Sequence, residues 1–255
     1  MSVATKDSHG HGGRALCDVR GFEGPNRHLP ERCIVGTLDT QAVAGTQGLV
    51  PPQAARRIHA FLEDNVRISP LTPPLAEVDR VLLADSPVPA ADAVAATCIA
   101  LQHLSGETGA RWRVAPGDGP DLATLACACD ALDIGAAALH TACELVAAAS
   151  GGGPNDTNLK PPPSLRSFLA LLRRRMLDFT SRCLVHEASR RGIPWRRVND
   201  GLTSRLLIEL GEGRRHTTMM GETSPRATTG GASPHSATAA RTRPKPSGPS
   251  PKRWA

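Results

Sequence analysis

The 255 residues are 40% apolar but only 3% aromatic, with no tyrosine, so alanine and leucine must fill an interior short of large anchors. The formal charge of +6 resides in residues 225–255, which hold six Lys or Arg and no Asp or Glu. The neutral remainder argues against a specific nucleic-acid binder, because a basic tail alone holds polyanions weakly and without sequence preference. Seven cysteines without a CxxC pair, no apolar h-region near the start and no apolar run of spanning length argue against a disulfide framework, a secretory signal and a membrane span. The thiols read as reduced and buried, and the compartment as cytoplasmic.

Along the chain, residues 1–13 read as a disordered start and residues 14–149 as a first domain of apolar-patterned segments separated by short Pro/Gly breaks. Strands are expected at 15–20, 32–39 and 111–115. Helices are expected at 52–65, where Ala54, Ile58, Phe61 and Leu62 share a face, at 92–104 through Val94, Cys98, Leu101 and Leu104, and at 135–149. Residues 122–130 have a helical period (Leu122, Leu125, Cys129), but so short an apolar run is ambiguous. SGGGPNDTNLKPPP, residues 150–163, reads as an exposed linker.

The strongest helical pattern covers 164–190. Leu165, Phe168, Leu169, Leu172, Met176, Phe179 and Cys183 recur at spacings of three and four, with Ser164 placed to cap the start and Gly192 to end it. An extended run over 193–199 precedes a hairpin formed by Leu206–Leu210, Gly211-Glu212-Gly213 and Arg214–Met220. After about Ser224 the chain becomes Pro, Ser, Thr, Gly, Ala and Arg without periodicity, and reads as a disordered tail.

Few side-chain groupings suggest chemistry. Arg190-Arg191, Arg196-Arg197, Arg214-Arg215 and Arg173–Arg175 could cradle phosphate, but neighbouring arginines diverge in direction, and a solvated face is the better reading. Gly211-Glu212-Gly213 lacks the Lys-Ser/Thr of a P-loop and reads as a tight turn. His9 and His11 have no second ligand pair to close a metal site. Cys127 and Cys129 would share one face of a strand or lie on opposite faces of a helix, and packing is the better reading. No G-x-S-x-G elbow is present. These residues give no catalytic and no metal-ligating set.

A resemblance adds to this picture. Arg191-Gly-Ile-Pro-Trp-Arg-Arg-Val198, Leu206-Leu-Ile-Glu-Leu-Gly-Glu-Gly-Arg-Arg215, then Thr218, Met219 and Glu222-Thr-Ser224, resemble over about thirty-five residues the stretch that opens the ATP-grasp region of cyanophycin synthetases. Val19-Arg-Gly-Phe-Glu-Gly-Pro-Asn26 with Leu38-Asp39, and Ile99-Ala-Leu-Gln-His-Leu-Ser-Gly106, are similar to that family's N-terminal domain. Where relatives carry histidine and glutamate before the helix core, this chain has Asp92, Ala95 and Ala96, so any role of those polar groups is lost. The resemblance makes 122–130 a strand. It implies an α+β fold, with an N-terminal mixed domain followed by a long helix and a β-hairpin opening an ATP-grasp region at 164–224.

The resemblance also implies a chemistry. In such ligases ATP and Mg²⁺ activate a carboxylate of an aspartate–arginine polymer as an acyl phosphate, which an incoming amine attacks. The residues holding ATP and magnesium lie downstream of the Thr-Ser run in relatives, so neither is expected to bind this chain well. The chain is therefore expected to be an inactive fragment of an aspartate/arginine ligase, its end cut short or frameshifted after Ser224. Alternatively it is a non-enzymatic module for a cyanophycin-like polymer, a primer or a partner. No specific nucleic acid and no membrane are expected.

Overall fold

The computed structural model describes residues 15–66, 75–104, 110–152, 159–175, 179–199, 206–211 and 217–221. The chain divides into two units, residues 1–224 and 225–255, and every described residue belongs to the first. The first thirteen residues, the tail, His9, His11, Arg214, Arg215 and Glu212-Gly213 lie outside the described residues.

The architecture is α+β. Strands β1 (Leu16–Phe22), β2 (Cys33–Asp39), β5 (Trp112–Pro116) and β6 (Leu122–Ala128) form an antiparallel sheet in the order β1-β2-β6-β5. Strand β6 is hydrogen-bonded on both sides, to β2 and β5, which explains its ambiguous pattern. Ala123, Leu125 and Cys127 point into the main core, while Ala126 and Ala128 pack on the opposite face. A strand buried on both faces reads as an unbroken apolar run. In β1 the pairing slips between Cys17 and Arg20 around Asp18, whose φ is 51°. This bulge uses a residue type that tolerates the left-handed region.

Helices α1 (Thr40–Ala44), α2 (Pro52–Val66), α3 (Ala76–Leu82), α4 (Ala90–His103) and α5 (Leu132–Gly151) complete the body with the two-residue strands β3 (Leu49–Val50) and β4 (Val88–Pro89). The Asp39 carboxylate caps α1 by accepting the Ala42 N–H at 2.9 Å. Helix α4 is buried on every side, Asp92 alone being half-exposed. A single-face stripe through Val94, Cys98 and Leu101 understates this burial because the other faces are alanines, small enough to let α5, α3 and the sheet close in. Helix α5 is long and apolar enough to cross a membrane, but over half of its apolar window is buried within the protein, as in a core helix.

The expected helix over 164–190 is described as α6 (Pro163–Arg175) and α7 (Phe179–Arg190), with residues 176–178 outside the described residues. Their packing differs. Leu165, Phe168 and Leu172 of α6 enter the main core, whereas Val185 of α7 packs with Ile208 in a separate cluster beside Trp195 and Leu210. The apolar boundary thus falls after α6. The expected exposed linker is also shorter than its composition suggests: α5 runs to Gly151, Leu159 packs against the core and Pro162 is buried. Ser164 lies inside the first turn of α6 rather than capping it. Its hydroxyl is buried without a partner among the described residues, because the proline at 163 already begins the helix.

Gly192 ends α7 as expected. Its φ is 66°, its N–H donates to Ser189 O at 3.0 Å, and the next N–H, from Ile193, reaches back to Ala188 O at 2.8 Å. This pair of bonds is a Schellman ending. The turn delivers the chain into β7 (Trp195–Asn199), which pairs with β8 (Leu206–Leu210), itself paired with β9 (Thr217–Gly221) in a three-stranded antiparallel sheet. Gly211 leaves β8 at φ 87°, and its N–H donates to Pro194 O at 2.7 Å, extending the β7–β8 pairing; the rest of the expected turn lies outside the described residues.

Candidate functional site: a mixed-charge cleft

At one end of the large sheet, β1 ends at Phe22 and a loop returns the chain to β2. Asn26 organises that loop. Its Oδ1 accepts the His28 and Leu29 N–H groups at 2.8 and 3.0 Å, and its Nδ2 donates to Gly24 O at 3.0 Å and Glu31 O at 3.3 Å. Side-chain bonding to nearby backbone is how asparagine replaces regular structure in a loop. The Gly-Pro-Asn of the N-terminal matched stretch is therefore accounted for by folding alone.

The loop delivers Arg32 to the mouth of β2. One guanidinium nitrogen of Arg32 pairs with Glu23 at 2.6 Å and another donates to the Asp130 carbonyl oxygen, tying β1's exit to β6's exit. Its Nε is buried with no partner among the described residues. From Asp130 the chain turns at Ala131, a residue that offers no capping side chain, into α5. Gly135 lets that helix lie directly on the sheet, since a Cβ there would stand 2.7 Å from Ile34 Cγ1 and 2.9 Å from Cys129 Cβ. Asp133 accepts the Ile134 N–H at 3.0 Å and meets Arg175 of α6 at 3.1 Å.

These groups line a cleft of about 560 Å³ whose opposite wall includes Arg196 and Val198 of β7. Arg196 is held by Glu209 across the strand pair. Arg32, Arg175 and Arg196 and the acidic residues Glu23, Asp130 and Asp133 therefore line one concave surface, with Asp133 in the first turn of α5. Neither Ser, Cys nor His lines it, and its lining carries charges of both signs.

No protein-family model matches the chain, and no curated protein matches it.

The sequence-selected residues are dispersed. Arg190 and Arg191 do not form an anion fork, since both bind Glu187, at 2.7 and 2.6 Å, holding that carboxyl at about 2. Arg173 and Arg174 are exposed, and of their triplet only Arg175 reaches the cleft. Cys127 and Cys129 both face the main core, and burial drives the Cys143 thiol of α5 up to about 12. Ala95 and Ala96 are fully buried in α4. Among the described residues no three His, Cys, Asp or Glu side chains gather to hold a metal. The cleft arginines each already meet an acidic partner, so these residues do not fit a magnesium–nucleotide site. Sequence reasoning missed Glu23, Arg32, Asp130 and Asp133, single charges at strand and helix ends that only the topology brings together.

Proposed function

We propose that this chain is the opening part of a cyanophycin-synthetase-like, ATP-dependent amide ligase, comprising the N-terminal domain and the start of its ATP-grasp region. The reading assigns no catalytic residue to these residues. One observation carries it: of the three stretches that resemble the family, the first and the last meet at one cleft. Glu23 comes from the Val19–Asn26 stretch, and Arg196 and Val198 come from the Arg191–Val198 stretch. Both are separated in sequence by the whole α/β body, yet their side chains line the same concave surface.

The second reading, a module that holds an aspartate–arginine polymer without reacting it, is favoured by the cleft's charge. A surface carrying guanidinium and carboxylate groups side by side suits a ligand that alternates the same two groups, and such complementarity sets register more than raw affinity. On either reading the purified chain binds the polymer but does not extend it. Incubation with labelled aspartate or arginine, ATP and Mg²⁺ is expected to give no EDTA-sensitive incorporation. Titration with the polymer should show saturable binding that weakens with salt and falls about tenfold in Arg196→Ala, the loss of one charged contact. Incorporation above background would overturn the assignment of no catalysis, and unchanged affinity in Arg196→Ala would overturn the cleft.

A further inference from the structure

The three ion pairs at the cleft differ in which partner the fold holds. The Arg196 side chain is 64% exposed and that of Glu209 only 21%, so there the carboxylate is the fixed side, on the middle strand of its sheet. Asp133 is tied at both oxygens, one accepting the Ile134 N–H at 3.0 Å and the other meeting Arg175 at 3.1 Å. Glu23 and Arg32 reverse this arrangement. Here the arginine side chain is 21% exposed and the carboxylate side chain 60%.

Arg32 is anchored independently of Glu23. Its backbone carbonyl accepts the Cys129 N–H at 3.1 Å, its Nη1 donates to the Asp130 carbonyl oxygen, and its Nε is buried. Its Nη2 meets Glu23 at 2.6 Å. Glu23 has no comparable hold. It follows the last residue of β1, and it reaches Arg32 through Oε2 alone. An ion pair with one partner so exposed holds by a factor of about five or less. Vacating it would leave a largely buried guanidinium uncompensated, so the contact favours exchange of one carboxylate for another over simple opening.

We infer that Glu23 is a built-in competitor at the cleft: its carboxylate occupies Arg32 in the free protein, and a carboxylate of the ligand takes its place. The exchange needs one exposed side chain to swing away, while the Cys129 and Asp130 bonds keep Arg32 in position. The inference rests on the proposed function for its ligand, an aspartate–arginine chain. It gives one residue the opposite sign from simple charge complementarity. If Glu23 served a guanidinium of the ligand, neutralising it would weaken binding; as a competitor, its removal strengthens binding.

The test is fluorescence anisotropy of the full chain with a labelled aspartate–arginine oligomer, for the wild type, Glu23→Gln and Glu23→Asp, with circular dichroism confirming the fold of each. Glu23→Gln keeps the shape and removes the charge. Glu23→Asp keeps the charge and, one methylene shorter, draws it back from Arg32. Both are expected to bind about three- to fivefold tighter than the wild type. Tighter binding in Glu23→Gln alone would reveal a general effect of charge and overturn competition at Arg32. Unchanged or weaker binding in both variants would also overturn it. In either case saturable binding that depends on Arg196 leaves the proposed function standing. No saturable binding in any of the three proteins would overturn that function and the competitor with it.

Discussion

At the scale of single residues, the polar side chains that matter most serve the fold. Asn26 makes four backbone hydrogen bonds within one loop. Asn26→Ala is expected to cost about 2–3 kcal/mol by leaving several backbone groups unsatisfied, read as a lowered denaturant midpoint. Glu187 offers a pH prediction. Hydrogen bonds from Arg190 and then Arg191 hold its carboxyl at about 2 rather than 4.5. A depressed folded value means that its contribution to stability is present above the unfolded value and is lost as pH falls from about 4.5 towards 2. NMR titration of this carboxyl should move back towards 4.5 in Arg190→Ala/Arg191→Ala. The cysteines supply a third expectation. Cys183 and Cys17 are the partly exposed thiols and the other five are buried, so iodoacetamide should label these two in the folded protein. Cys17 should be slower than Cys183, because burial and then Asp18 and Asp39 raise its pKa and suppress the thiolate. Rapid labelling of Cys143 before unfolding would contradict the packing described.

At the scale of elements, close approach replaces large side chains as the source of cohesion. With almost no aromatic residues to anchor it, the core relies on alanines in α4 and on Gly135 at the start of α5 to bring helices and sheet into contact. Gly135→Ala should therefore destabilise by about 1–3 kcal/mol, since the new methyl meets Ile34 and Cys129 below contact distance and the neighbours must shift. A denaturation midpoint unchanged from wild type would show that the helix is not held so closely. Much of this layer was legible in the sequence. Strands β1, β2 and β5 and helices α2, α4 and α5 lie within a few residues of where periodicity puts them, because each carries an apolar pattern that only one period satisfies. Short α1, α3, β3 and β4 were not legible, as two to seven residues give too little pattern. The all-round burial of α4 was hidden because alanine carries little hydrophobic signal at any one position. Residues 122–130 show the converse: their helical period misleads, because a central strand needs no polar alternation.

At the scale of the whole molecule, the cleft could not be read from sequence. Glu23, Arg32, Asp133, Arg175 and Arg196 are scattered over more than half the chain and have no common spacing. They converge because β1 and β6 end, and β2 begins, at the same end of the sheet, where α5 starts. The family resemblance pointed to the two stretches but not to their meeting. On the proposed function, these stretches form one surface for an aspartate–arginine chain. Hydrogen–deuterium exchange of the full protein, with and without the polymer, tests it most directly. Exchange is expected to slow in residues 23–32, 130–135 and 195–198 together, with the outer strands β1 and β5 little changed. Protection confined to those outer strands, or no protection in any segment at saturating polymer, would contradict it.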